Sequence, residues 1–154
     1  MMDLEEAIDL AATRAMVVDV LSDLASYAEW LDIVSLAEPA GVDTDDRPVW
    51  MVELRARIGP FARTKRLRMV RTVLDVGPER TQVLFTRREE GARDYSDWTL
   101  SVVVEDAGAA DCRVVLRLHY GGSLWTPGPL ERVLADQVRV GRERLSRVVA
   151  TNTR

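Results

Sequence analysis

The sequence has one cysteine, Cys112, and one histidine, His119. A lone cysteine excludes an internal disulfide and a thiolate metal cluster, and it fits a reducing compartment. With one imidazole and one thiol, a zinc site would need mostly carboxylate ligands, an unusual set, and no metal is expected. No stretch approaches the roughly 18 apolar residues that a membrane span needs, so membrane insertion is not expected. The opening MMDLEEAIDL has acidic residues where a signal peptide has basic ones, and it lacks a continuous apolar region. A cytoplasmic location is the expectation. Internal repeats, low-complexity tracts and linkers are absent. So are Walker and dinucleotide fingerprints, since Gly121-Gly122 reads as a strand end.

What is present is ordinary in amount and uneven in placement. At 154 residues, 47% hydrophobic and 30% charged, residues 1–154 are expected to form a single domain with a real core. The net charge of -4 conceals an acidic first third, where Arg14 is the only base before Arg47. The stretch from Arg47 to Arg93 is basic, with Arg55, Arg57, Arg63, Lys65, Arg66, Arg68 and Arg71 clustered in it. Phe61 is the only aromatic within the cluster from Arg55 to Arg71, so the cluster reads as a solvated outer sheet face, and nucleic acid is not an expected partner. Docking of that basic face to an anionic surface is the alternative.

The hydrophobic pattern sets the order of elements. Leu4–Ala11 reads as a strand. Thr13 can cap a helix from about Arg14 to Ala25, whose face is Val17, Val20, Leu21 and Leu24. Tyr27 to Leu31 reads as a second short helix. From Ile33 to Gly122 the pattern alternates with period two. Pro39 and Gly41 interrupt its first strand, and Gly59-Pro60, Gly77-Pro78 and Ala107-Gly108 mark turns. Consecutive strands joined by short turns make an antiparallel meander with one apolar face. Pro127-Gly128-Pro129 ends the sheet, and Pro129 suits a first helical position. A helix to about Ala150 follows, with Leu130, Val133, Leu134, Val138, Gly141, Leu145, Val148 and Val149 as its stripe. Only this helix is long enough to cover the apolar face of such a sheet. The expected fold class is α+β, a curved antiparallel sheet with two short helices and one long C-terminal helix across its concave face, the helix-grip arrangement.

That order, with Asp23-Leu24-Ala25-Ser26-Tyr27-Ala28-Glu29-Trp30-Leu31 after the first helix, resembles the START-like (SRPBCC) superfamily. Within it the chain is similar to bacterial polyketide cyclase/dehydrase and coenzyme-Q-binding-type proteins, which often carry a D-L-x-x-Y-x-x-W segment at this point. Pro127-Gly128-Pro129-Leu130 resembles the start of their last helix. The resemblance spans nearly the whole chain. It implies a cavity between sheet and long helix, with Tyr27 and Trp30 packed at the helix pair near its mouth. It does not fix the activity, because members bind lipids, quinones and polyketides and only some are enzymes.

On the face expected to turn inward, Trp50, Leu54, Leu67, Met69, Phe85, Trp98, Leu100, Leu116 and Leu118 would line a cavity or fill a solid core. Leu134 and Val138 would face them from the helix. Gly141, in mid-stripe, costs about 1 kcal/mol relative to alanine. It therefore marks either close approach of the helix to the sheet or space left for a ligand. Arg71, Arg87, Ser96 and Tyr120 share the inward phase, and Gln137 lies beside the helix stripe. Arg71 should sit opposite Leu84–Phe85 with Arg87 as its diagonal neighbour, so two inward guanidinium groups would suit an anionic ligand oxygen. The alternative is a bulge that turns one away, or Arg87 reaching the rim. His119 shares the outward phase with Arg113 and Arg117, which argues against a catalytic triad.

The leading expectation is a domain that binds a hydrophobic small molecule, such as a lipid, isoprenoid or polyketide-like compound, with no cofactor. A polyketide aromatase/cyclase would use the same cavity for aldol condensation and dehydration. In that case Arg71 or Arg87 would stabilise an enolate and Tyr120 would donate a proton. It would lack an inward carboxylate or histidine to act as base. A non-catalytic protein that docks through its basic outer sheet is the third possibility. The pattern leaves the oligomeric state open.

Overall fold

The computed structural model describes residues 1–58, 60–91, 93–122 and 127–152, apart from the side chains of Ile58, Pro127, Pro129 and Leu130. Gly59 of the expected turn, Ala92 in the loop before the sixth strand, and the Leu130 side chain of the helix stripe therefore lie outside the described residues.

Seven strands, β1 (Met2–Leu10), β2 (Val34–Val42), β3 (Pro48–Ile58), β4 (Phe61–Val76), β5 (Arg80–Arg87), β6 (Trp98–Asp106) and β7 (Cys112–Tyr120), form one sheet. Its spatial order is β1-β7-β6-β5-β4-β3-β2, and each pairing is antiparallel. The meander from β2 to β7 thus follows sequence order, and β1 closes onto β7. Pro39 and Gly41 fall where the β2–β3 register shifts, and Gly41 has a positive φ of 78°, a conformation glycine adopts without a Cβ clash.

Between β1 and β2 the chain forms helix α1 (Arg14–Leu21) and a short 3-10 helix, α2 (Leu24–Glu29). Thr13 caps α1 as expected, its hydroxyl accepting from the Met16 N–H at 3.3 Å. The boundary between the two helices differs from the expectation of a first helix reaching Ala25. Asp23 accepts from the Ala25 N–H at 3.0 Å, so it caps a new helix and stops the old one at Leu21. The second helix accordingly begins at Leu24 and not at Tyr27.

Helix α3 (Pro127–Asn152) follows the sheet. It starts two residues earlier than the expected first position, Pro129. Both prolines fall in the first turn, where backbone N–H groups have no intrahelical acceptor, so neither costs a hydrogen bond. At 26 residues it is about 39 Å long. Leu134, Val138, Leu145 and Val149 are buried on its inner stripe, while Arg132, Arg139 and Arg142 are exposed. The helix packs on β1, α1, α2 and β3, and the core lies between it and the concave sheet face. Among the described residues no helix is long and apolar enough to cross a membrane.

The basic run divides between the two faces. Directly opposed residues share a face, and Glu53 opposes Arg66 while Met51 opposes Arg68, which puts these on the convex side. Arg55, Arg57 and Arg66 are exposed there as expected. Lys65 does not belong with them. It opposes Leu54, whose side chain points into the core, so its place on an outer face is corrected to the concave side.

Candidate ligand cavity

An apolar chamber of about 100 Å³ lies between the concave sheet and the helices. From the sheet it is lined by Val34, Val52, Leu54, Leu67, Met69, Trp98, Leu100 and Leu118; Leu24, Tyr27, Leu31 and Ile33 close it on the α2 side, and Leu134 covers it from α3. A second chamber of about 50 Å³ shares Tyr27, Leu31, Leu100, Leu118 and Leu134 with it and adds Leu4, Glu6, Leu116 and Val138. The expected wall residues Leu54, Leu67, Met69, Trp98, Leu100, Leu116, Leu118, Leu134 and Val138 thus all come to this space. The pair of chambers is on the scale of the roughly 150 Å³ hole that accepts a benzene ring in another protein's core. It is smaller than the roughly 300–1,000 Å³ of ordinary ligand pockets.

Aromatic packing explains why other expected wall residues stay behind the surface. Phe85 is fully buried, with Tyr27 edge-on at 6.1 Å and Trp50 edge-on at 5.6 Å between ring centroids. Trp50 also donates its indole N–H to Asp23 at 3.1 Å, tying β3 to the cap of α2. Tyr120 is buried and stacks on Trp98 with centroids 4.5 Å apart, one layer removed from the chamber. Tyr27, expected as a structural anchor, does both jobs. Its ring lines both chambers and packs on Trp30 at 5.6 Å, while its hydroxyl donates to the Leu21 carbonyl at 2.9 Å. Burial, with Asp23 nearby, holds that phenol far above the ordinary tyrosine range, so it stays protonated.

The expected polar residues each find a protein partner. Arg71 opposes Phe85 and Arg87 opposes Met69, the register anticipated from the Gly77-Pro78 turn, with an irregularity just after Arg71. The two guanidinium groups nevertheless do not meet over a ligand position. Arg71 donates to the Ser22 carbonyl at 3.0 Å, at the end of α1. Arg87 turns to the rim, where it pairs with Glu89 at 2.7 Å, donates to the Ser96 carbonyl at 3.0 Å and lies over the Tyr95 ring. Ser96 precedes the start of β6 at Trp98, so it is a loop residue serving Arg87. Gln137 uses its side-chain oxygen to accept the Ile33 N–H at 2.8 Å, fastening α3 to the start of the meander.

Gly141 is a correction. It does not leave volume in the cavity: a side-chain carbon there would lie 2.4 Å from the Trp30 carbonyl oxygen. The glycine permits α3 to touch the end of α2, which neither approach to the sheet nor space for a ligand describes. Two residues were missed. Glu6 falls in the apolar phase of β1, between Leu4 and Ile8, and its stem forms part of the second chamber wall. Lys65 falls in the phase of Leu67 and Met69. Both were legible as charges in an inward phase.

A curved antiparallel sheet gripping one long helix, with an apolar chamber between them, defines the START-like class. Residues 1–150 match the family described as polyketide cyclase/dehydrase and lipid transport, and the chain belongs to that family. No curated protein matches its sequence. Human StAR-related lipid transfer protein 5 is 11% identical, with 97% of this chain and 76% of that one covered at a TM-score of 0.76. An aromatase/cyclase from a Streptomyces species is 14% identical, with 99% and 95% covered at a TM-score of 0.67. A START superfamily protein from Mycobacterium smegmatis is also 14% identical, with 98% and 99% covered at 0.67. At these identities the likeness is one of fold.

Proposed function

We propose that this protein binds a small hydrophobic molecule in the space between the concave sheet and α3. The supporting observation is the chamber itself, lined by apolar side chains from the sheet, α2 and α3. An empty apolar cavity stays dry, and an apolar guest gains dispersion contacts there without displacing hydrogen-bonded water. In the conformation seen, the guest is limited to about the size of a benzene ring or a short alkyl chain. A larger one requires Leu134 to move away from the sheet. Among the described residues the polar fastenings of α3 to the rest of the fold begin at Gln137 and continue at Arg144, which donates to Asp32, and at Asn152, which donates to Asp19, so Leu134 lies on the less tethered side.

The structural neighbours, a lipid transfer protein and an aromatase/cyclase, fit binding and cyclisation equally well. The chamber favours binding. A cyclase needs an acid or base at the reacting carbon. Among the described residues the chamber walls offer the Tyr27 phenol, which is committed to Leu21, and the carbon stem of Glu6. Native mass spectrometry of the protein purified from cells, beside a Leu134→Phe variant that narrows both chambers, tests the reading. A co-purified small molecule on the wild type, reduced in the variant, is the expected result. Failure of the folded wild type to take up any apolar probe would overturn it.

A further inference from the structure

Lys65 is the charged residue whose surroundings the fold does not account for. Its neighbours on the concave face, Leu54 across the β3–β4 pair and Leu67 two positions along, both line the chamber. Its ammonium reaches over the Tyr120 ring, 6.0 Å from the centroid, and Tyr120 stacks on Trp98 of the opposite chamber wall. Lys65 therefore stands just outside the chamber wall, beside Leu54 and Leu67, and it is half-buried, so the head of an incoming molecule can reach it. Among the described residues it has no ion pair. Burial pulls its pKa below the ordinary lysine value and nearby Arg87 pulls the same way, with Glu89 opposing. That carboxylate is already occupied, bonded to Arg87 at 2.7 Å and accepting from the Arg68 backbone N–H at 3.1 Å. Lys65 and Arg87 with Glu89 leave one positive charge uncompensated.

We propose that Lys65 binds the carboxylate head of an amphiphilic ligand whose apolar part occupies the chamber lined by Leu54, Leu67 and Trp98. This rests on the binding function proposed above and names the ligand class. A single uncompensated charge matches a monoanion. The half-dry setting makes a charge-assisted hydrogen bond worth more than on an open surface. Aromatic contact with Tyr120 holds the ammonium in place while the site is empty. The ligand class is a short-chain or compact aromatic carboxylic acid, since the chambers admit little more.

Titration calorimetry of the whole protein at pH 7 with octanoate and with 1-octanol tests this. The two probes share a chain and differ in head charge. Octanoate should bind about tenfold more tightly than octanol, the scale of one charge-assisted hydrogen bond. Lys65→Met should remove that preference and Lys65→Arg should keep it. Equal affinity of the wild type for both probes, or an acid preference that survives in Lys65→Met, would overturn the assignment of Lys65 and leave the apolar cavity standing. Binding of neither probe by the folded wild type would overturn both.

Discussion

A side-chain carbon on Gly141 would lie 2.4 Å from the backbone oxygen of Trp30 and 3.0 Å from its ring. The oxygen belongs to the end of α2 and cannot swing aside like a side chain. Gly141→Ala therefore sets two effects against each other. Alanine favours the helix by about 1 kcal/mol, whereas overpacking a tight contact costs about 1–3 kcal/mol and more where backbone must move. We expect a net loss of about 1 kcal/mol or more in a urea melt. A variant as stable as the wild type would show that α2 and α3 do not depend on this contact.

Gln137 supplies the acceptor for the Ile33 N–H, a backbone donor just before β2 that no strand partner takes. Gln137→Leu keeps the bulk of the side chain and removes the acceptor. An unsatisfied, largely buried donor costs about 1–3 kcal/mol, so the variant should lose that much stability. Replacing the neighbouring exposed Asp136 with alanine should change stability by less than about 0.5 kcal/mol. Hydrogen exchange at Ile33 should also accelerate in Gln137→Leu, a local readout that a general loss of stability would not single out.

The architecture was readable because alternation and helical periodicity are local signals. Leu67 and Met69 against Arg66 and Arg68 separate the two faces of β4 without any tertiary information. The register of Arg71 on Phe85 followed from one turn. What the pattern did not reveal depends on distances between elements. Gly141 reads the same whether it faces a cavity or a carbonyl. The inward phase of Arg71 and Arg87 says nothing of Ser22 or Glu89 waiting at either end. Lys65 was hidden for a different reason: it sits in a run of bases, and the run was read as one face although period two divides it.

The convex charges should matter little. Arg55, Arg57 and Arg66 are exposed, and the Arg66–Glu53 pair is largely open to water on the arginine side. Exposed pairs contribute about 0–1 kcal/mol, so the triple Gln variant should melt close to the wild type. Arg68 is different. It is mostly covered, donates to the Arg88 carbonyl at 2.7 Å and pairs with Glu90, so Arg68→Gln should show a clear loss. Salt-sensitive binding of the wild type to anionic vesicles, lost in the triple variant, would instead make the convex face a docking surface.

Cys112 provides a pH-dependent check of the β1–β7 edge. It is buried, and burial first, then Asp106, Asp111 and Asp9, push its thiol from 9.0 up to about 11. The thiolate is the reactive form, so at pH 8 alkylation by iodoacetamide should run about a hundredfold slower than in the unfolded chain. The same shift has a sign for stability. Between about pH 9 and 11 the unfolded chain has released this proton and the folded chain still holds it. Stability contributed by the protonated thiol is complete below pH 9 and is lost as pH rises through the folded value. Urea melts at pH 8, 9 and 10 should show a decline that Cys112→Ala reduces. An equal decline in both proteins would show that the Cys112 environment is not what resists ionisation.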